Sequence, residues 1–347
     1  MSGMIGDLVY ELVQIPGPTG YESRVANRLK ELLEKHVDEI YIDKIGNLIA
    51  RKKGTEGKRS LALVAHTDQL SLTVLKVDEF VWFDKLGWLN LNNLPGIPVL
   101  ILGAERDIPG VVCSPSAHFD VGGETPLWID IGDRQKFVSV GDPIVFATSP
   151  RWLNDEKTLL ASHSIDDRVG CAIMVELAQK LTKKPRHDIY FIGSVQEETT
   201  CLGIRHLLKT ITPDWFIALD TGYAQDAVPN INKTFTLHTG LGVRRLSFAR
   251  QANKIYPATM NFASPRLNKL LVDAAKKLNI PFSVDAVTTT YSDHHFAYEL
   301  NPEMDSTIML VARRYSHSPN EVADLSNAER AADVLDQAIT DLDQWDE

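Results

Sequence analysis

The chain is poor in cysteine. Cys113, Cys171 and Cys201 are its only three among 347 residues, an odd number at wide spacing. This excludes a disulfide ladder and a paired CxxC zinc site. Buried free thiols are the expectation, and any metal would have to be held by histidine and carboxylate. Long apolar runs are also missing: none reaches the roughly 18–20 residues that span a bilayer. The start, Met1-Ser2-Gly3-Met4-Ile5-Gly6-Asp7, has neither the basic opening nor the apolar core of a signal peptide. The expectation is a soluble, cytoplasmic protein with no membrane partner. Basic charge is scarce too, with 36 Lys and Arg against 46 Asp and Glu and a net charge of -10. Nucleic-acid binding needs a basic footprint and is set aside. No internal repeat or low-complexity segment is visible.

What is there reads as an α/β protein. Leu8, Leu12 and Val13 form an apolar helix face, broken by Pro16-Gly17-Pro18-Thr19-Gly20. Thr19 and Glu22 have the spacing of a capping box, followed by Val25, Leu29, Leu32 and Leu33 at helical period. Glu39 to Asp43 and Leu48-Ile49-Ala50 read as two strands around a turn. Leu61 to Ala65 is a short continuous apolar run, as expected of a strand buried on both faces. From Leu72 to about Ser149 the texture changes to short β-rich runs broken by glycine and proline, with no helical stripe. Helix and strand alternate again afterwards: a helix over Val169–Leu181, strands at Ile189–Gly193, Trp215–Leu219 and Thr307–Val311, helices from Gly203 and over Leu267–Leu278. A last helix begins at Ser326, with Glu329 completing a second capping box. The fold class expected is a doubly wound mixed sheet with helices on both faces, interrupted by a small inserted β-barrel-like domain. The catalytic domain would be residues 1–70 with 156–347, and the insert 71–155.

Polar residues with metal or acid–base chemistry gather where apolar runs end. His66 and Asp68 follow the Leu61–Ala65 run, and open α/β sheets place ligands beyond the carboxyl ends of their strands. In an extended His-x-Asp the two side chains share one side, so Asp68 can orient His66. Asp166 and Asp167 stand before a helix, where a carboxylate is also a common cap; the functional reading makes Asp166 a carboxylate shared between two metal ions, with Asp167 and Arg168 in support. Glu197 and Glu198 follow another strand. Adjacent carboxylates resist joint ionisation unless a cation is near; one can bind metal while the other moves a proton. Asp220 ends an apolar strand, where burial demands a partner. His317 lies just past the Thr307–Val311 strand. His294 and His295 are not promoted to ligands. Each residue alone has an ordinary structural explanation. Together they suggest a two-metal hydrolytic site.

The longer motifs resemble one family over nearly the whole chain: the co-catalytic metallo-aminopeptidases of glutamyl aminopeptidase and the tetrahedral, dodecameric aminopeptidases. They are Pro16-Gly17-Pro18-Thr19-Gly20-Tyr21-Glu22, Asp43-Lys44-Ile45-Gly46-Asn47-Leu48, His66-Thr67-Asp68, Asp166-Asp167-Arg168-Val169-Gly170, Gln196-Glu197-Glu198 and Arg314-Tyr315-Ser316-His317-Ser318-Pro319. The resemblance implies that His66, Asp166 and Asp220 hold one divalent ion and that Asp166, Glu198 and His317 hold a second, with Asp166 bridging. Glu197 would be the general base and later the acid, and Asp68 would orient His66. Zinc is the expected metal, with cobalt or manganese as alternatives. The implied activity is removal of N-terminal residues from peptides with a free N-terminus, by a homo-oligomer of up to a dodecamer. Two departures touch specificity. Gln69 stands where the family has Glu, and Thr290-Tyr291-Ser292-Asp293 replaces Gly-Gly-Thr-Asp. Gln69, Tyr291 and Asp293 are therefore the candidate substrate contacts. The competing readings are a two-metal amidase or deacylase acting on a small non-peptide amide, and a scaffold without catalysis.

Overall fold

Four parallel strands form the centre of the protein: Asp188–Ser194, Ser60–His66, Trp215–Tyr223 and Asp305–Arg314, in that order. The computed structural model describes residues 4–115, 126–227, 234–247, 250–251, 254–255, 261–287 and 290–345. Antiparallel strands extend the sheet on both sides. Leu48–Lys52 and then Glu39–Ile42 flank Asp188–Ser194. At the other end Glu321–Asp324, Leu159–Ser162 and Arg151–Trp152 follow in turn. Leu241–Ser247 shares the far edge of Asp305–Arg314 and carries the short neighbours Asn261–Phe262 and Ser283–Val287.

The central strands are apolar on both faces because both faces are covered. Leu61, Leu63 and Ala65 point into one core with Trp215, Ile217 and Leu219. The helices Met4–Leu12, Ser23–Leu33, Ile165–Lys180, Pro265–Lys277 and Ser326–Leu342 close that side. Ala62 and Val64 point the other way, into a second core with Phe216, Ala218, Ile204 and Phe296, under Leu202–Leu207 and Asp293–Leu300. Alternation at period two makes this division. Among the described residues no helix is long and apolar enough to cross a membrane.

A closed antiparallel barrel interrupts the sheet, in the order Ser71–Val77, Val81–Leu86, Trp128–Asp130, Asp107–Cys113, Pro98–Leu102 and Pro143–Phe146. It has its own core around Leu72, Val99, Ile101 and Ile144. Closure removes the open edges that so many short strands would otherwise expose. The chain re-enters the large sheet at Arg151–Trp152, a few residues before the end expected of the insert at 155.

Three local expectations are corrected. Thr19 and Glu22 form no capping box: Thr19 Oγ1 donates to Asp68 Oδ2 at 2.8 Å, and Glu22 Oε1 accepts from Gly20 N and Gln196 N. Both side chains serve tertiary contacts rather than the helix end. The final helix has no side-chain cap either, because Ser326 Oγ turns back to Asp324 at 2.8 Å. Asp220 does not end its strand: Thr221, Gly222 and Tyr223 continue the pairing, opposite Val311, Ala312 and Arg313.

Candidate active site

The site lies beyond the carboxyl ends of the parallel strands, where the sheet geometry favours ligands. His66 and Asp220 come together by register. Val64 pairs with Ala218, and two residues further along each strand, on the same face, stand His66 and Asp220. The other groups arrive on loops. Asp166 and Asp167 have non-helical torsions at the start of Ile165–Lys180, which directs both carboxylates off the helix path. Glu197 and Glu198 follow the strand Asp188–Ser194, and His317 follows Asp305–Arg314.

His66 Nε2 is 3.0 Å from Asp166 Oδ1 and 3.9 Å from Glu197 Oε2, and His66 Nδ1 is 3.3 Å from Asp68 Oδ1. His317 Nε2 lies 3.6 Å from Asp166 Oδ2 and 3.8 Å from Glu198 Oε2. All the acids of the group are buried or nearly so. Ligand atoms of His66, Asp166 and Glu198 lie within 4.8 Å of one another, and so do those of His66, Asp167 and Asp220. Glu198 Oε1 and Asp167 Oδ2 are buried and make no hydrogen bond with protein atoms. Two imidazoles, clustered carboxylates and such unpaired oxygens suit a divalent cation. Asp167, read from sequence as supporting, thus stands as close to Asp220 as a ligand would.

Charge is strongly perturbed here. Burial pushes Glu198 up to about 7 despite the charge of His317. Burial, reinforced by Asp166, pushes Asp220 up to about 8. Glu197 is raised well above the usual range by burial, with Asp220, Glu198 and Asp293 adding to it against His66. Asp166 moves the other way. Burial opposes its charge, but Arg313, His317 and His66 override that and hold it well below the ordinary value. Acids driven apart in this way mark sites of proton transfer and ion binding.

Further groups surround the ligands, and Arg168 is one that the sequence marks as a support. Arg168 is fully buried and donates Nη1 to the carbonyls of Thr67 and Asp68, at 2.9 and 3.2 Å. Its Nη2 donates to Gln69 Oε1 at 3.2 Å, and Gly17 N donates to that same oxygen at 3.0 Å. Gln69 therefore lies behind the ligands. Asp293 accepts from Ser194 Oγ, and the residues that line the cavity include neither it nor Gln69. Tyr291 does line the cavity, a space of about 170 Å³ that it shares with Trp88, Arg244, Glu197 and His317. Trp88 comes from the barrel region. Its carbonyl accepts from His317 Nδ1 at 2.9 Å, and its ring meets Tyr291 edge-on at 6.1 Å. Arg313 and Glu321, which were not singled out from sequence, are two further buried charges, one at the end of its strand beside Arg314 and one at the start of its strand. Charge at a strand end is ordinary, so the sequence carried no signal for either.

Sheet, barrel and strand-end site together are those of a peptidase. The chain belongs to the M42 glutamyl aminopeptidase family, whose sequence pattern matches residues 46–334. It is 26% identical to lysyl aminopeptidase of Pyrococcus furiosus over 368 aligned positions, covering 98% of each chain. Its structure is similar to that of aminopeptidase APDkam598 from the archaeon Desulfurococcus kamchatkensis, with a TM-score of 0.89, 26% identity and coverage of 98% of this chain and 95% of that one. The fold is also that of the Pyrococcus horikoshii TET1 peptidase, with a TM-score of 0.81, 22% identity and coverage of 96% and 98%.

Proposed function

We propose that this peptidase removes N-terminal residues from peptides by a two-metal hydrolysis with Glu197 as general base. The observation that carries the reading is the placement of Glu197. Its carboxyl reaches the cavity beside His66, while its backbone is pinned by Asp68. His66, Asp166 and Asp220 would hold one ion, and Asp166, Glu198 and His317 the other. Divalent ions there, zinc in our reading with cobalt or manganese as alternatives, supply Lewis acidity that lowers the pKa of water and polarises a carbonyl.

The chain's own groups move the proton and place the substrate. Glu197 takes a proton from the attacking water as the water oxygen bonds to the scissile carbonyl carbon. The C–N bond then breaks, and the proton held on Glu197 passes to the leaving amine. A carboxyl whose pKa burial has raised is suited to hold that proton between the two steps. The acidic wall of the cavity suits the ammonium of a free N-terminus. Trp88 and Tyr291 supply its aromatic sides. Gln69 and Asp293 are assigned positioning roles behind this wall, through Arg168 and Ser194.

We further propose that the barrel, as the core of an inserted domain 71–155, contributes to a homo-oligomer of up to twelve subunits. The Pyrococcus horikoshii relative is described as assembling into a tetrahedron or a large octahedral shell. The half-buried rings of Phe80, Trp82 and Trp128 cluster on the barrel, with centroids 5.6 and 6.3 Å apart, and offer apolar surface for such contacts.

The experiment is a peptide panel in which each free N-terminus is paired with its N-acetylated twin, given to metal-reconstituted protein. Cleavage of the free forms alone, one residue at a time, is the expected result. Cleavage of acetylated forms, or of none, would replace this reading with the amidase or deacylase.

A further inference from the structure

Arg313 uses all three of its guanidinium nitrogens at the site. Nε donates to Thr221 Oγ1 at 2.6 Å, Nη1 to Glu321 Oε1 and Nη2 to Asp166 Oδ2. Its side chain is buried, as is that of Glu321. Glu321 spreads the grip further: Oε2 accepts from Asp166 N at 3.1 Å, and Oε1 accepts from His317 N at 3.0 Å. The pair thus holds Asp166 by both main chain and side chain, holds His317 by its main chain, and ties Thr221, next to Asp220, to the same point. Arg168, the other fully buried guanidinium nearby, donates to carbonyl groups and to no carboxylate. A side chain needed only to fix backbone segments could do so in that neutral way. Arg313 instead puts a fixed positive charge on the carboxylate oxygen that His317 Nε2 also approaches, at 3.6 Å.

We propose that Arg313 is a positioning residue that shares Asp166 with the metal: its guanidinium orients the carboxylate and its charge lowers the affinity of the ion that Asp166 and His317 would ligate. This inference rests on the two-metal reading above. Two cations on one buried carboxylate repel each other, because low local polarisability leaves their charges poorly screened. By linkage, removing one must strengthen the hold on the other. The two ion sites are then unequal: Glu198 and His317 complete the weaker one, and its occupancy follows the metal supply.

The test is metal binding without substrate. Protein stripped by chelator and dialysed is titrated with Co²⁺ or Zn²⁺ alone, read by calorimetry and by competition with a chromophoric chelator. Wild type should show two unequal sites. Arg313→Met should tighten the weaker one by roughly tenfold or more. Arg313→Lys keeps the charge without the fork and should stay near the wild-type affinity. If Arg313→Met does not fold, Arg313→Met/Glu321→Gln removes both charges of the pair and carries the same expectation. Wild type that binds metal while the folded Met variant is unchanged or weaker would overturn this inference alone. Wild type that takes up no metal would overturn the two-metal reading with it.

Discussion

Asp68 accepts the backbone N–H of Glu197 at 2.9 Å on Oδ1, the same oxygen that lies 3.3 Å from His66 Nδ1. Its Oδ2 takes Glu198 N at 3.2 Å and Thr19 Oγ1 at 2.8 Å. One buried carboxylate therefore sets the imidazole and the Glu-Glu loop against each other, a support commonly found behind metal-binding histidine. Asp68→Asn should weaken this support, since it keeps one acceptor oxygen but sets an NH₂, which cannot accept, against one of the two backbone donors. Loss of charge-assisted hydrogen bonds at a buried site costs about 2–4 kcal/mol. Chemical denaturation should show that loss, and activity should fall with it. An unchanged midpoint would mean that the loop is held by other contacts.

Glu197→Gln should keep its metal and lose activity by about 10²- to 10⁴-fold, the usual contribution of a positioned general base. Elemental analysis beside steady-state rates checks both halves. Loss of metal with modest loss of activity would exchange the roles of Glu197 and Glu198.

Gly87 puts the barrel in touch with the site. Its φ is +97°, and a Cβ there would come within 2.4 Å of Leu70 Cδ2 and 3.2 Å of the Glu198 carbonyl oxygen. Gly87→Ala should cost about 1–3 kcal/mol from backbone strain and displace the neighbouring Trp88 carbonyl from His317. Faster metal loss on dialysis, with the barrel still folded by circular dichroism, is the expected outcome. Trp88→Ala, by contrast, retains that carbonyl. It should raise KM for peptides while leaving metal retention unchanged.

Glu22 provides a pH test. Burial, with Asp68 nearby, pushes its pKa up to about 7 from 4.5. The folded state therefore binds more protons than the unfolded one between these values, and stability from this group declines as pH rises through that window. Glu22→Gln removes the ionisation while leaving an oxygen to accept from Gly20 and Gln196. Its unfolding midpoint should gain on wild type from pH 5 to 7, by about 1–2 kcal/mol in stability. A constant difference across that range would show that Glu22 stays ionised when folded.

Much of the site was legible because its parts are local. His66, Asp166, Glu197, Glu198 and His317 each sit next to an apolar run or a helix start, and the runs at 61–65, 189–193, 215–219 and 307–311 all lie within strands. Asp220 was legible as an acid against an apolar run, although its strand continues to Tyr223. The capping boxes at Thr19 and Ser326 misled because side-chain spacing alone cannot tell a helix cap from a tertiary hydrogen bond. Glu22 and Thr19 were claimed by Gln196 and Asp68 instead.

The sequence by itself determined the alternation of strand and helix, the β-rich interruption and the residue types at the strand ends, because periodicity and chain breaking act over a few residues. Tertiary structure alone decided which of these groups meet. Register between parallel strands set His66 beside Asp220, and closure of the sheet edge brought Arg313 and Glu321 onto Asp166. The Trp88 carbonyl reached His317 across 229 positions of chain. Such partners follow from packing two cores and a barrel together, and no local pattern encodes them.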